Sequence, residues 1–324
     1  MRFAGFGILV AAGILVAAAY PAHAQTGQNY PVRPVRLVSG VAGSPSDILA
    51  RTIQPKMADA FGHPVVIENR SGGSGMISAN IVAKARPDGH TLLLISAQFA
   101  IGAVLNTSLP FDPLKDFAGV TQLGYSTSAL IVQPALGVKT VKEFIAYAQA
   151  RPGKIFFSSG GAGSSTHINA ERFRFAAGIK AVHVGFKGTP EALLEVLGGR
   201  VHFCLVGLGA ALPLIKDGRL TALAVSTPQR SPLLPDVPPL AEALPEFGRD
   251  GSHSLLAPAG TPRAVRERIS AEVGRIFALP EVKERLQALG FHLAPTTPDE
   301  HDRIIRSQIE TFSRVVRMIG LKAS

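Results

Sequence analysis

Short runs of consecutive apolar residues, many of them β-branched or leucine, alternate along the chain with stretches whose apolar positions recur at helical spacing. The runs at 35–39, 65–68, 91–96, 130–133, 155–158, 181–184, 201–206 and 220–226 read as strands. Several are apolar at every position, as expected of strands covered by helices on both faces. The alternation of strand and helix predicts an α/β architecture with largely parallel sheets.

Helix starts are well marked. Ser44-Pro45-Ser46-Asp47 offers an N-cap serine, a proline in the first turn and a carboxylate three residues after the cap, and the helix it opens should run from Asp47 to Phe61 and stop at Gly62. Thr140-Val141-Lys142-Glu143 and Thr297-Pro298-Asp299-Glu300 are capping boxes. Thr189-Pro190 and Thr261-Pro262 are expected to cap two more helices, and Gly163-Ser164-Ser165 precedes a helix predicted over about 166–177.

The first residues are of another kind. Arg2 is the single charge before an uncharged stretch, 3–20, that is rich in Ala, Gly, Leu, Ile and Val. Pro21-Ala22-His23-Ala24 follows, with the small-x-small form of a secretory cleavage site. The stretch is at the lower limit for a membrane span. Its small residues, and the helix breaker and cleavage site behind it, favour a signal peptide of residues 1–24 and export. No later stretch has the length and apolarity of a span.

Composition narrows the chemistry. Cys204 is the single cysteine, which excludes an internal disulfide and any cysteine-rich metal site, and its apolar surroundings at 201–208 predict a buried thiol. The formal charge is +10, and it is dispersed. Even the densest part, 263–275, mixes arginines with Glu267 and Glu272 and reads as a solvated helix face, so nucleic acid is not expected. There is no HExxH, no G-x-S-x-G, no SxxK and no Walker A lysine, and Gly161-Ala162-Gly163-Ser164-Ser165-Thr166 fails the dinucleotide fingerprint at its last position. The histidines lack metal-ligand spacing. No enzyme activity, cofactor or metal is expected.

Two small-residue loops, each directly after a strand and before a helix, carry the chemistry that remains. The first is Val41-Ala42-Gly43-Ser44-Pro45-Ser46, and the second is Ser159-Gly160-Gly161-Ala162-Gly163-Ser164-Ser165. A helix N-terminus presents free N–H groups and about half a positive charge, and small residues let an anion approach that backbone. Ordinary strand–helix turns need the same residue types, so the pattern alone leaves both readings open. A serine hydrolase built on Ser164 or Ser165 with His167 is a further alternative, without an acid partner or nucleophile elbow to support it.

Several segments together resemble the Bug, or TctC-like, family of periplasmic receptors for tripartite tricarboxylate transporters. They include Tyr30-Pro31-x-x-Pro34-Val35-Arg36-Leu37-Val38, Asp47-Ile48-Leu49-Ala50-Arg51, Val65-Val66-Ile67-Glu68-Asn69-Arg70-x-Gly72-Gly73-x-Gly75 and Pro87-Asp88-Gly89-His90-Thr91-Leu92-Leu93. Further along come Asp112-Pro113-Leu114-Lys115-Asp116-Phe117, Gly163-Ser164-Ser165-Thr166-His167, His183-Val184-Gly185-Phe186-Lys187-Gly188-Thr189, Leu234-Pro235-Asp236-Val237-Pro238 and Leu256-Ala257-Pro258-Ala259-Gly260-Thr261-Pro262.

The resemblance implies a two-lobed periplasmic-binding-protein fold of type II-like form, with a ligand cleft between the lobes. Lobe 1 would comprise 25–126 and 252–324, and lobe 2 would comprise 127–251, with crossings near 124–129 and 248–254. The ligand would be a small organic anion, commonly carboxylated, and the partners would be membrane subunits of a transporter. A ligand-sensing input for a signalling partner is the alternative. The receptor would be a monomer.

The site positions carried across are Val41, Ala42, Gly43, Ser44 and Asp47 in the first loop and Ser96, Ala97 and Gln98 at a strand end. In the second loop they are Ser159, Gly160, Gly161, Ala162, Gly163, Ser164, Ser165 and His167. Val206 stands where relatives often carry an aspartate, and His253 lies in a return crossing where they often carry aromatics. The first loop here also lacks the usual aromatic residue and Pro-Gly-Gly core.

Overall fold

The computed structural model describes residues 29–40, 42–70, 75–106, 108–162, 164–245, 247 and 251–318. The expected signal peptide lies outside the described residues. The chain first lays down β1 (Val35–Ser39), α1 (Pro45–Phe61), β2 (Val65–Asn69), α2 (Met76–Ala83), β3 (Thr91–Ser96), α3 (Gln98–Leu105) and β4 (Phe117–Ser126). It then builds β5 (Ser128–Val132), α4 (Val141–Gln149), β6 (Ile155–Ser159), α5 (Ser165–Ala176), β7 (Ala181–Gly185), α6 (Thr189–Leu197), β8 (Phe203–Gly207), α7 (Leu208–Lys216) and β9 (Thr221–Val225). It returns through β10 (Ser252–Pro258), α8 (Arg263–Ala278), α9 (Pro280–Ala288), β11 (Phe291–Leu293) and α10 (Pro298–Met318).

The strands form a 6-stranded sheet of order β11-β4-β10-β3-β1-β2 and a 5-stranded sheet of order β7-β6-β8-β5-β9. Each sheet, with the helices on its faces, makes one lobe. Successive residues of a strand feed opposite cores, because side chains alternate across a sheet. Leu37, Leu92 and Leu255 pack toward α1 and α8, while Val38, Leu93 and Leu256 pack toward α2, α3 and α10. In the second sheet Leu130, Phe157 and Phe203 share a core with α4 and α5, and Ile131, Cys204 and Val206 share one with α6 and α7. Cys204 is free and buried.

The sheets are mixed rather than largely parallel. β1 runs parallel to β2 and β3, and β6 runs parallel to β7 and β8. β10 is antiparallel to both of its neighbours, β11 to β4, and β5 to β8 and β9. The antiparallel strands include those on which the chain leaves one lobe and comes back, where no crossover helix is needed.

The predicted caps divide into two groups. Ser44, Ser164 and Thr140 each accept the N–H three residues on. Glu300 closes its box by accepting the Thr297 N–H at 2.9 Å. Thr189 and Thr261 do not cap. Gly188 and Pro262 occupy those cap positions, and the Thr261 hydroxyl instead donates to the Pro258 carbonyl at 2.7 Å.

Thr127 joins the lobes. Its N–H donates to Gly290 of lobe 1 at 2.9 Å, and its carbonyl accepts the N–H of Leu208, the first residue of α7 in lobe 2, at 2.8 Å. Beside it the Ser126 N–H donates to the Gly251 carbonyl at 2.9 Å, so outgoing and returning segments are bonded to each other. A separate apolar cluster also bridges the lobes: Ala100 and Ile101 of α3, Ile168 of α5, and Phe312 and Val315 of α10.

Candidate binding cleft

Between the two sheets lies a cleft of about 800 Å³. Its lobe 1 wall is formed by the start of α1, the end of β3, the start of α3 and the β10 and β11 strands. Its lobe 2 wall is formed by α5 near its start, the first residue of α6 and the β8–α7 junction. Among the described residues, no lysine, arginine, aspartate or glutamate lines it.

The two helix starts have nearly the same cap geometry. Ser44 has φ −67° and ψ 161°, and Ser164 has φ −67° and ψ 159°. The Ser44 hydroxyl accepts the Asp47 N–H at 3.3 Å, and the Ser164 hydroxyl accepts the His167 N–H at 3.2 Å. The next N–H in each helix, on Ile48 and Ile168, returns to the cap carbonyl. At α5 the amides of Ser165 and Thr166 are left at the helix end. At α1 the first helical residue is Pro45, which has no N–H, so the corresponding amide is that of Ser46 alone.

His253 stands at the floor of the cleft, opposite Ser96 in the β10–β3 register. It is buried, and its Nδ1 lies 3.0 Å from the Ser46 hydroxyl. Burial pushes the imidazole down to about 3, so it is neutral at ordinary pH. The Phe291 ring meets it edge-on at 5.5 Å between centroids.

The family profile described as "Tripartite tricarboxylate transporter family receptor", TctC, matches residues 49–321. Protein BugT of Bordetella pertussis is 32% identical over 319 residues, covering 97% of this chain and 98% of its own. The chain belongs to the TctC family. A UPF0065 protein of Bordetella bronchiseptica is also 32% identical, over 97% of this chain and 93% of its own. Among solved structures, an R. palustris protein with adipate matches at TM-score 0.74 and 30% identity, over 90% of this chain and 98% of that one. MatC from Rhodopseudomonas palustris with bound malate matches at TM-score 0.70 and 29% identity, over 89% of this chain and 100% of that one. The two-lobed fold of periplasmic solute-binding proteins is thereby established for this TctC-family chain.

Six of the positions expected to contact ligand line the TctC-family cleft: Ser44, Ser96, Ala97, Gln98, Ser165 and His253. Val41 and Gly163 lie outside the described residues. The others fall elsewhere. Ala42 and Gly43 are exposed loop residues beside the cleft, and the Gly43 N–H is turned to the Asp47 carboxylate at 2.8 Å. Asp47 is 1% exposed and is consumed by its own loop, accepting from Gly43, from Arg51 Nε at 2.9 Å and from Asn69 Nδ2 at 2.8 Å. Burial alone would raise its carboxyl, but these donors outweigh it and hold the group below the ordinary aspartate range.

In the second loop, Ser159, Gly160, Gly161, Ala162 and Ser164 shape the turn rather than the cleft wall. The Gly160 N–H donates to Thr166 Oγ1 at 2.9 Å, and the Ser164 hydroxyl donates to the Gly161 carbonyl at 2.7 Å. Ser159 Oγ lies 2.7 Å from His183 Nε2. The His167 ring stacks on His183 at 3.8 Å between centroids, and its Nε2 lies 3.7 Å from Glu171. It braces the loop from behind and does not face the cleft. Burial, with the His167 charge adding to it, pushes His183 down to about 4. None of the hydrogen bonds of Ser164 or Ser165 goes to the His167 ring, so the geometry of a Ser–His nucleophile is not formed. Val206 points into the core with Cys204, and strand alternation puts Leu205 and Gly207 on the cleft instead.

Sequence reasoning missed Ser46 and Asn169 as cleft residues and set aside Thr189, whose segment Lys187-Gly188-Thr189 could also be read as reaching a carboxylate. Asn169 follows Ser165 by four positions, which places it on the same helix face, one turn in from the start. That spacing was the available signal. Thr189 lay in a segment that read as a loop before a capped helix, and its nearness to the other loop follows only from the β6–β7 pairing.

Proposed function

We propose that this chain is an extracytoplasmic solute-binding receptor that captures a small carboxylate-bearing organic anion for a transporter of the tripartite tricarboxylate type. The observation that carries this reading is the pair of serine-capped helix starts facing one cleft without a charged side chain among the described lining residues. Taking an anion out of water is costly, and helix-end N–H groups and bridging waters offset that cost without a counter-ion. Relatives solved with adipate and with malate support a carboxylate as the ligand. The segment 1–24 would direct export to the periplasm, and among the described residues no helix is long and apolar enough to cross a membrane.

The lobes, 25–126 with 252–324 and 127–251, would close on the ligand about Thr127, and the membrane subunits would distinguish the closed, loaded receptor from the empty one. Ser44, Ser96, Ala97 and Gln98 would contact the ligand from lobe 1 and Ser165 from lobe 2.

The test is a calorimetric and thermal-shift screen of mono-, di- and tricarboxylates, amino acids and aromatic acids against the exported protein. A binder with Kd of about 1 μM is expected. A screen in which no carboxylate binds sinks the reading.

A further inference from the structure

Asn169 is an unpaired polar group in a place built to hold a ligand. It is 9% exposed and lines the cleft. Among the described residues its side-chain amide makes no hydrogen bond, whereas the neighbouring Thr166 hydroxyl is taken by the Gly160 N–H and by Ser164. Its amide is also not among the buried side-chain groups that are both sealed from solvent and unpartnered, so its polar atoms open onto the cavity. It sits one turn inside α5, beside the amides of Ser165 and Thr166. Thr189 faces the same end of the cleft.

The lobe 1 wall is different. Its serines are held in place, Ser44 Oγ accepting the Asp47 N–H, Ser46 Oγ 3.0 Å from His253 Nδ1 and Ser96 Oγ accepting the Gln98 N–H, and the Gln98 side-chain amide is the exposed polar group beside them. Pro45 removes one donor from the α1 start. Between these stand Ile48, Leu94, Ile95, Ile101 and Phe291. The two helix ends together supply about one unit of positive charge. A second carboxylate at the lobe 1 wall would lose water against these apolar side chains and meet fewer donors than at the α5 start, the Ser46 amide and the Gln98 side chain against Asn169 and the two amides of Ser165 and Thr166.

Resting on the receptor reading above, we propose that Asn169 with the α5 start forms the head-group subsite, and that the cleft is specific for an acid with one carboxylate and an apolar body directed at lobe 1. The Asn169 Nδ2–H would donate to one carboxylate oxygen and the Ser165 and Thr166 amides to the other.

Hexanoate and adipate make a matched pair of equal chain length that differ by one carboxylate, and citrate tests a third. Titration calorimetry on the full mature chain should find hexanoate, or benzoate as an aromatic counterpart, at least about 10-fold tighter than adipate, with citrate weaker still. Asn169→Ala should weaken the monoacid about 10-fold, and Asn169→Asp, which sets a like charge beside the head group, by about 100-fold or more. The Asn169 side-chain NH₂ resonances of the unmodified protein should shift when hexanoate is added, which keeps the test open if a variant does not fold.

Adipate or citrate binding as tightly as the monoacids overturns the inference and leaves the receptor reading standing. So does Asn169→Asp binding within twofold of the unmodified chain, or NH₂ resonances that stay fixed while hexanoate binds. If no carboxylate binds up to about 10 mM, both fall together.

Discussion

Asp47 and His167 are polar residues that each lie three positions after a capping serine, and both turn away from the cleft. The reason is local. The cap fixes the third residue's N–H toward the serine hydroxyl and points its side chain back along the loop, where Asp47 finds Gly43, Arg51 and Asn69, and His167 finds His183 and Glu171. Asp47 is therefore a structural carboxylate. Asp47→Asn should lower the unfolding free energy by about 1–3 kcal/mol while leaving the helix α1 cap intact, as measured by urea denaturation. Because its folded value is depressed, its contribution is present above the unfolded aspartate value near 4 and is lost as pH falls through the lower folded value.

The buried imidazoles titrate oppositely in charge but push stability the same way. His253 and His301 are held neutral by burial, both pushed down to about 3. Below about 6.5 the unfolded chain takes up protons that the folded chain refuses, so stability falls as pH drops from there toward 3, by up to about 1.4 kcal/mol per pH unit for each ring. Denaturation midpoints at pH 7.5 and 5.5 should show this loss, and His301→Phe should make it shallower. Cys204 offers a simpler check. Burial pushes its thiol up to about 12, so a thiol reagent at pH 8 should leave it unlabelled until denaturant is added.

Elements were legible where the sequence is apolar on both strand faces. β1 and β3 coincide with their predicted spans because Val35, Leu37 and Val38 of the one and Leu92, Leu93, Leu94 and Ile95 of the other are buried carbon. β4, β10 and β11 were not read as strands. β4 carries Thr121 and Gln122, buried because Thr121 Oγ1 donates to the Thr296 carbonyl at 2.8 Å and the Gln122 N–H donates to Thr296 Oγ1 at 3.0 Å. β10 opens on Ser252 and His253, buried through Gln308 and Ser46. In both strands, side-chain partners distant in sequence do what apolar residues do in β1, and no local pattern announces them. The candidate cleft shows the same limit. The two helix starts were readable, β8 was placed at the site through Val206 rather than through Leu205 and Gly207, and the walls that α6 and β11 supply were not foreseen.

The crossing gives the element-scale prediction. At Gly251 φ is +72°, and a Cβ there would lie 2.5 Å from the Ser126 carbonyl oxygen, which already accepts no freedom to move because Ser126 bonds Gly251 in return. Gly251→Ala should destabilise the protein by about 1–3 kcal/mol and lower its melting temperature, whereas Gly218→Ala, strained in φ but with open space around it, should cost less.

At the scale of the whole molecule, the described residues join the lobes through the hydrogen bonds of Ser126 and Thr127 and through the cluster of Ala100, Ile101, Ile168, Phe312 and Val315. Closure about Thr127 would change the overall dimensions without unfolding either sheet. Small-angle scattering should therefore show a smaller radius of gyration with a saturating ligand, and the melting temperature should rise with ligand concentration as expected for binding to the folded state. Phe312→Ala would remove the largest side chain of the bridging cluster and the shared wall between the cleft and the groove along α10. It should weaken ligand affinity as well as stability, because Phe312 both lines the cleft and packs lobe 1 against Ile168 of lobe 2.

The place of β10 has a consequence for how the molecule is made. This strand lies between β3 and β4, in the middle of the first sheet, yet it comes from residues synthesised after the whole second sheet. As the chain emerges from its N-terminus, lobe 2 has all of its strands in hand while the first sheet still has two facing edges with nothing between them. A nascent receptor must carry those open edges until Ser252–Pro258 arrives. Any chain ending short of that point keeps them for its lifetime, as a target for proteases and for pairing with other copies.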